Sequence, residues 1–490
     1  MLIVVKLFPE ITIKSRPVRR RFIRTLRRNI RTMLRQLDEG VSVVGEWDYI
    51  DVETSTNEAA VLRQIIQCLQ CTPGIARFQT VERHPLEDLD TMAELCRGVF
   101  ADVLAGKTFA VRCKRSGRHT FRSVDVERHV GGVLLHQTDA VGVNLDNPQV
   151  KVQLEIRNEI VFLVKQQYRG LGGFPLGTQD GVLSLISGGF DSAVSSFLCI
   201  KRGLLTHYCF FNLGGKAHEF AVKEVALYLW LKYSSSHRVR FVTVPFEPVV
   251  AEILNRVDDS QMGVVLKRMM LRCATEVADQ LQIKALITGE SVAQVSSQTL
   301  PNLAVIDRVT DMLVLRPLCT SDKQDIIDIA RDIGTEDFSK KIPEYCGVIS
   351  VKPTTRARIE RIEREENRFD MALIDQAVAA ARMQSITAIA EDISDQPFEL
   401  KITAELESGD TVIDIRHPDE QERRPLLLPD QKDVEKLDIP FFQLQSYFAD
   451  RDKEGSYLLY CDKGMMSALH AAHLYDQGYR GIAVYDPAHS

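Results

Sequence analysis

The sequence predicts an α/β chain of several domains, and three observations carry that prediction. At 490 residues the chain is too long for one hydrophobic core and should divide into three or four. Strand candidates Val182–Ile186, His207–Phe211, Val239–Val244 and Ala285–Thr288 alternate with helical stretches, the order that builds a doubly wound parallel sheet with ligands beyond the carboxyl ends of its strands. The first of these strands runs into Ser187-Gly188-Gly189-Phe190-Asp191-Ser192 and then a packed helix. Such a turn lets backbone come close to a ligand and directs the first helical N–H groups at it, so it is an anion site.

A net charge of −6 with 26% charged residues describes an ordinary globular protein, so affinity for nucleic acid must come from a local patch. No apolar run approaches the length of a membrane span, and Met1 to Lys6 is a strand-like segment with no charged region before it; the expectation is a cytoplasmic protein with no membrane partner. Ten cysteines without dense spacing fit thiols in a reducing compartment.

Taken in order, the chain begins with that strand and reaches Lys14, Arg16, Arg19, Arg20, Arg21, Arg24, Arg27, Arg28, Arg31 and Arg35, with no acidic residue between Glu10 and Asp38. Phe22, Leu26, Ile30, Met33, Leu34 and Leu37 fall at helical spacing, which makes an amphipathic helix with one core stripe and a cationic remainder. An unmixed cationic face repels itself, so a polyanion is its expected partner. Val41 to Glu53 reads as two short strands around Gly45-Glu46, completing a small α+β unit.

Cys68-Leu69-Gln70-Cys71 lacks the second ligand pair that a zinc site needs, so both thiols are read as helix residues in a core and no metal site is assigned. Phe109 to Arg115 reads as a strand, Ser123 opens a helix holding Val126 and Val130, and Leu154–Arg157 with Ile160–Val164 reads as a hairpin. Lys114, Arg115, Arg118, His119 and Arg122 give this part a basic surface. It resembles a THUMP domain, an RNA-binding module, and structured RNA is bound mainly through phosphates and shape. Gly170 to Pro175 reads as a hinge-like linker.

In the sheet that follows, Asn212-Leu213-Gly214-Gly215 comes after the second strand and Thr288-Gly289-Glu290-Ser291-Val292-Ala293-Gln294-Val295-Ser296-Ser297-Gln298-Thr299-Leu300 after the fourth. The second turn could be a helix cap with Ser291 or Glu290 serving the backbone; as another glycine turn on the same edge it is expected to close over a nucleotide. No Lys follows Gly188-Gly189, which excludes a Walker A loop. The Ser-Gly-Gly-Phe-Asp-Ser pattern instead resembles the loop of the PP-loop ATP pyrophosphatases, which transfer AMP from ATP to a substrate oxygen.

The tail has its own pattern. Val412 to Arg416 looks like a strand and polar turn, and Tyr457 to Ser467 looks like strand, loop and helix with Cys461 in the loop; both resemble a rhodanese domain. A thiol placed where backbone N–H groups and a helix N-terminus converge is stabilised as an anion. The loop lacks a closing Arg, so a free-standing thiosulfate:cyanide activity is not expected, while relay from a protein donor is. Cys346, in Ile342-Pro343-Glu344-Tyr345-Cys346-Gly347-Val348, reads as an exposed loop thiol.

Together, Lys14-Ser15-Arg16, the THUMP-like region, the two glycine motifs and the tail resemble the tRNA 4-thiouridine synthetase (tRNA uracil 4-sulfurtransferase) family, in its long form with a rhodanese-like tail. The resemblance implies a ferredoxin-like unit at 1–60, a THUMP domain at 61–168, a PP-loop ATP pyrophosphatase domain at 174–395 and a rhodanese-like domain at 404–490. It implies ATP and Mg²⁺, with Leu185, Ile186, Ser187, Gly188, Gly189, Ser192, Phe210, Phe211, Lys267, Gly289 and Gln298 around the nucleotide, Asp191 positioning metal–pyrophosphate or the reacting group, and Lys323 holding phosphate charge. tRNA would meet Lys14, Arg16, Arg20, Arg24, Arg28, Lys114, Arg115 and Arg118. A cysteine desulfurase would load Cys461, and Cys346 would attack its persulfide as sulfur leaves, forming a disulfide. Family members thiolate uridine 8, and some also supply sulfur to the thiamine thiazole through a sulfur carrier protein. Two rivals stand: a relay serving mainly thiamine synthesis, and a tRNA-binding module with a vestigial ATP site. A 2-thiouridylase or lysidine synthetase fits worse, since neither explains THUMP plus rhodanese on one chain.

Overall fold

The computed structural model describes residues 1–45, 47–213, 215–340, 342, 352–389, 401–416, 418–429, 433–462 and 464–487. The chain forms two compact units, Met1–Thr178 and Gln179–Ser490.

In the first unit the strands are β1 (Leu2–Leu7), β2 (Ser42–Gly45), β3 (Tyr49–Glu53), β4 (Ile75–Pro85), β5 (Thr108–Ser116), β6 (Gly142–Val143), β7 (Val150–Arg157) and β8 (Ile160–Arg169). They form one sheet in the order β2-β3-β1-β4-β8-β7-β5-β6. The expected hairpin is β7–β8, turned at Asn158 with φ of 50°. Two cores lie along the sheet. Helix Arg16–Leu34 lays Phe22, Leu26, Ile30 and Leu34 on Ile3, Val5, Ile50 and Val52. Helices Leu89–Leu104 and Ser123–Gln137 lay Met92, Cys96, Val126 and Val130 on Phe109, Val111, Val152 and Leu154. Burial of these stripes, at roughly 25 cal/mol per Å² of apolar surface, holds the helices despite their charge.

Two details differ from the sequence reading. Arg19, counted with the cationic face, is buried, and its guanidinium donates to the carbonyls of Thr12 and Trp47 and to Asp48. The Gly170–Pro175 stretch is anchored: Gly172 N–H donates to the Ile75 carbonyl at 2.7 Å, and Phe174 meets Phe8 and Phe22 edge-on. Aromatic burial overrides the hinge-like composition of that stretch. Cys68 lies in helix Ala59–Gln70 and Cys71 caps it, both partly buried.

In the second unit, β9 (Gly181–Leu185), β10 (Leu205–Asn212), β11 (Arg240–Pro245), β12 (Ala285–Ile287), β13 (Leu313–Leu315) and β14 (Arg382–Ser385) form a sheet in the order β13-β12-β9-β10-β11-β14. The four expected strands pair in parallel, and the turns after them fall on one edge. The sheet is not wholly parallel. Its last strand, β14, runs antiparallel to β11, with Arg240 opposite Ser385. The polar run Arg382-Met383-Gln384-Ser385 carries no strand periodicity, and its pairing comes from a sheet edge that needs a partner.

Strands β15 (Ile402–Thr403), β16 (Thr411–Asp414), β17 (Glu435–Asp438), β18 (Tyr457–Tyr460) and β19 (Ile482–Tyr485) form a second, all-parallel sheet in the order β15-β19-β18-β16-β17. Helix Met465–Asp476 of this part packs on helix Gly215–Leu229 of the first sheet's layer. Phe220 stacks on His473 at 4.0 Å between ring centroids, His470 lies 2.8 Å from Glu224, and Phe338 stacks on Phe441 at 4.3 Å.

This packing has a pH signature. Burial, with the charge of His470 beside it and against the opposing pull of Asp476, lowers the His473 pKa to about 4. An unfolded imidazole takes up a proton below about 6.5, whereas the folded one stays neutral to about 4, so stability falls as pH drops through that window. His207, also lowered to about 4 by burial and Arg240, adds to the same trend. Thermal unfolding should therefore give a lower melting temperature at pH 5 than at pH 7, and His473→Gln should shrink that difference; an identical pH dependence in the variant would refute the assignment.

Candidate functional site

The turn Ser187–Ser192 joins the end of β9 to helix Phe190–Lys201, and the sequence folds this way because Gly188 adopts φ of +80°, which a side chain would resist. Ser192 braces the turn: its Oγ accepts from Ser187 N–H at 3.2 Å and donates to the Gly189 carbonyl at 3.0 Å. A twelve-residue helix thus points its N-terminal N–H groups into the loop, a cradle with the geometry of an anion site.

Asp191 sits in the first turn of that helix with both carboxylate oxygens engaged. Lys323 Nζ donates to Oδ1 at 2.8 Å, and Gln294 Nε2 donates to Oδ2 at 2.8 Å. Lys323 opens helix Lys323–Ile333 and lies 5.5 Å from the Phe190 ring. Gln294 comes from the turn after β12, where Ala293 takes φ of 66°. Three loops remote in sequence therefore meet at one carboxylate. The sequence reading placed Asp191 and Lys323 here; it had no role for Gln294, whose only signal was its place inside the second glycine motif.

The turn after β12 is not a helix cap. Glu290 is buried and gathers Lys267 Nζ at 2.5 Å, Arg316 Nε at 2.7 Å and Thr288 Oγ1 at 3.0 Å. Burial by itself would raise its pKa, but the Lys267 and Arg316 charges hold it down to about 2. The same turn is sewn to the 316–322 loop by Ser291 Oγ donating to the Ser321 carbonyl at 2.9 Å and Val292 N–H donating to the Cys319 carbonyl at 3.1 Å. Cys319 is a partly buried thiol at this edge that the sequence reading passed over.

Other expected residues are placed as follows. Leu185 and Ile186 end the strand before the cradle. Phe210 and Phe211 point into the core on opposite faces of β10, against His218 and Phe246. Gln298 is buried in the short helix Ser296–Gln298, and its Oε1 has no hydrogen-bond partner among the described residues. Gly289 packs on the cradle itself: a Cβ there would lie 2.6 Å from the Asp191 carbonyl carbon.

Cys461 directly follows β18, partly exposed, with Ser467 N–H donating to its Sγ at 3.4 Å from the first turn of helix Met465–Asp476. The neighbouring Asp462 is held by Arg416 Nη1 at 3.1 Å and by Arg424, while Arg416 forms a buried pair with Asp414. The loop's arginines come from the end of β16 and the segment after it, positions that local sequence around Cys461 does not reveal. Cys346 lies outside the described residues. The chain leading toward it is described: Ser339 Oγ donates to the Gly188 carbonyl at 2.9 Å.

In the first unit Lys14, Arg16, Arg20, Arg24 and Arg28 are exposed, as are Lys114 and Arg118. Arg115 is partly buried and bonds His119 Nδ1 at 2.9 Å, with His119 stacked on Phe121.

Because backbone atoms of Asp191 and Ser192 meet the Gly289 position, Gly289→Ala should force the two loops apart and cost roughly 1–3 kcal/mol. Chemical denaturation and ATP binding should both show the loss; a variant that matches the parent in both would refute this close contact.

Known proteins resemble this chain along its length. Residues 2–78 match the model of the ThiI ferredoxin-like domain, 87–164 the THUMP domain, and 177–371 the thiamine biosynthesis protein (ThiI). A tRNA sulfurtransferase of Azotobacter vinelandii is 55% identical over 488 residues, covering 100% of both chains, and one of Pseudomonas putida is 54% identical over 99% of this chain and 100% of its own. The crystal structure of a 4-thiouridine synthetase–RNA complex with bound ATP superposes with a TM-score of 0.68 at 25% identity, over 78% of this chain and 99% of that one. With identity of this level from end to end, the chain belongs to the tRNA sulfurtransferase family.

Proposed function

We propose that the protein is an ATP-dependent tRNA sulfurtransferase that converts uridine 8 of tRNA to 4-thiouridine. The observation that carries the reading is the Asp191 carboxylate, held by Lys323 and Gln294 at the mouth of a helix-terminus anion cradle. The bounds taken from the sequence, 1–60, 61–168, 174–395 and 404–490, are retained as the working division of the chain.

ATP is a substrate here. The cradle at Gly188 and Gly189 receives its phosphates, and Gln298 and the backbone of Leu185, Ile186, Phe210 and Phe211 face the nucleoside. Lys267 and Lys323 supply positive charge as the uridine O4 attacks the α-phosphorus and pyrophosphate leaves. Among the described residues no cluster of three or more His, Cys, Asp or Glu could hold a metal by itself. Magnesium would be held by Asp191 together with phosphate oxygens and water, and would neutralise phosphate charge. The exposed Arg20, Arg24 and Arg28 with Lys14, Arg16, Lys114 and Arg118 bind the tRNA backbone, and Arg115 orders the loop between them through His119.

Sulfur arrives on Cys461. Its thiolate attacks the outer sulfur of a desulfurase persulfide, and the donor thiolate departs. The terminal sulfur then attacks C4 of the adenylated uridine, Cys346 thiolate attacks the Cys461 sulfur, the S–S bond breaks toward the base, and AMP leaves. The two cysteines end as a disulfide, which a cellular dithiol reduces. The Phe338–Phe441 stack and the Ser339–Gly188 hydrogen bond support this route, since the chain approaching Cys346 touches both the cradle and the part that carries Cys461. Supply of sulfur to a thiamine-pathway carrier would use the same Cys461 persulfide without the tRNA surface.

Two experiments test the reading. Reversing Arg20, Arg24 and Arg28 to Glu should weaken tRNA binding by about ten-fold or more at moderate salt while leaving ATP binding unchanged; equal tRNA affinity would remove the helix from the interface. Cys461→Ser should lose persulfide loading and 4-thiouridine together, whereas Cys346→Ser should load but not turn over. Peptide mapping after one round without reductant should join Cys346 to Cys461; Cys461 joined to Cys319 instead, or a cycling Cys346→Ser enzyme, would replace the scheme.

A further inference from the structure

Two cations converge on one buried carboxylate at this site. Glu290 takes Lys267 Nζ at 2.5 Å and Arg316 Nε at 2.7 Å. The two cations differ in how firmly they are placed. Arg316 also donates from Nη1 and Nη2 to the two oxygens of Asp307, at 2.9 and 2.6 Å, so both edges of its guanidinium plane are pinned. Lys267 reaches Glu290 by a flexible stem, and its side chain is 23% exposed against 13% for Arg316.

We propose that Arg316 is a positioning residue for nucleotide capture: it holds Glu290 by itself, so that Lys267 can leave the carboxylate and transfer to the phosphates of ATP. A buried carboxylate stripped of its last cation is strongly disfavoured. With Arg316 and the Thr288 hydroxyl in place, Glu290 keeps two donors when Lys267 swings away, and the ammonium exchanges one anion for another. Without Arg316, Lys267 is the sole cation hydrogen-bonded to a buried charge and stays there. Asp307 then has a function of its own, fixing the guanidinium so that Nε faces Glu290. The inference rests on the assignment of Lys267 to ATP.

The experiment is equilibrium binding of Mg²⁺–ATP to the full chain, with melting curves, for Lys267→Ala, Arg316→Gln, Arg316→Lys and the double variant Arg316→Gln/Glu290→Gln. Arg316→Gln should lose about ten-fold in ATP affinity, and Arg316→Lys, which keeps a cation at Glu290, should stay within about three-fold of the parent. The double variant should regain most of the loss, because a neutral amide no longer holds Lys267; a merely structural role predicts a double variant at least as impaired as Arg316→Gln. Recovery supports the proposal. Parental affinity in Arg316→Gln alongside a weakened Lys267→Ala overturns it and leaves the ATP assignment standing. Parental affinity in Lys267→Ala overturns both. Should Arg316→Gln fail to melt cooperatively, the comparison of Arg316→Lys with Lys267→Ala decides, since loss in the former equal to the latter contradicts the proposal.

Discussion

The carboxylate of Asp191 is the constraint on which the catalytic edge depends. It stands at the N-terminus of a helix, where the peptide dipoles favour a negative charge, and it converts that preference into structure by drawing Lys323 and Gln294 to its two oxygens. Each of those residues begins or ends a separate loop, so one charged group aligns segments more than a hundred positions apart. Gly289 completes the arrangement by lacking a Cβ where the backbone of Asp191 and Ser192 must pass.

A second carboxylate, the buried Glu290, performs the complementary task in the turn after β12. It pairs with Lys267 and Arg316, Asp307 supplies the second negative charge beside Arg316, and Asp191 pairs with Lys323, so each cation of this edge faces a carboxylate. The cost of burying Glu290 is offset by charge on two sides, which is why its pKa falls to about 2 despite its depth. Across the operating range of a cell it stays ionised.

The C-terminal sheet joins the unit through aromatic and imidazole contacts rather than through a broad aliphatic face. Phe220 on His473 and Phe338 on Phe441 contribute roughly 0.5–1.5 kcal/mol each beyond the area they bury. These contacts fix how helix Met465–Asp476, which follows the Cys461 loop, packs on helix Gly215–Leu229. The partly buried His473 imidazole, whose pKa is lowered to about 4, makes this packing sensitive to acid.

The sequence by itself determined the parts whose information is local. The alternation of β9 to β12 with helices, the Ser187–Ser192 turn, the amphipathic helix Arg16–Leu34 and the β18–Cys461–helix unit are each encoded by a few dozen adjacent residues, since period and turn chemistry act between near neighbours. The tertiary structure decided everything that depends on a partner far along the chain. No local pattern says that Arg19 is withdrawn from the cationic face to serve Asp48, that Arg416 and Arg424 close on Asp462, or that the polar run at β14 becomes an antiparallel edge. Composition makes Gly170–Pro175 look like a hinge, yet Phe174 finds Phe22 and is held. The same limit explains Gln294, Arg316 and Cys319: an amide, a guanidinium and a thiol acquire meaning only from the groups set against them, and long-range contacts leave no period in the sequence to read.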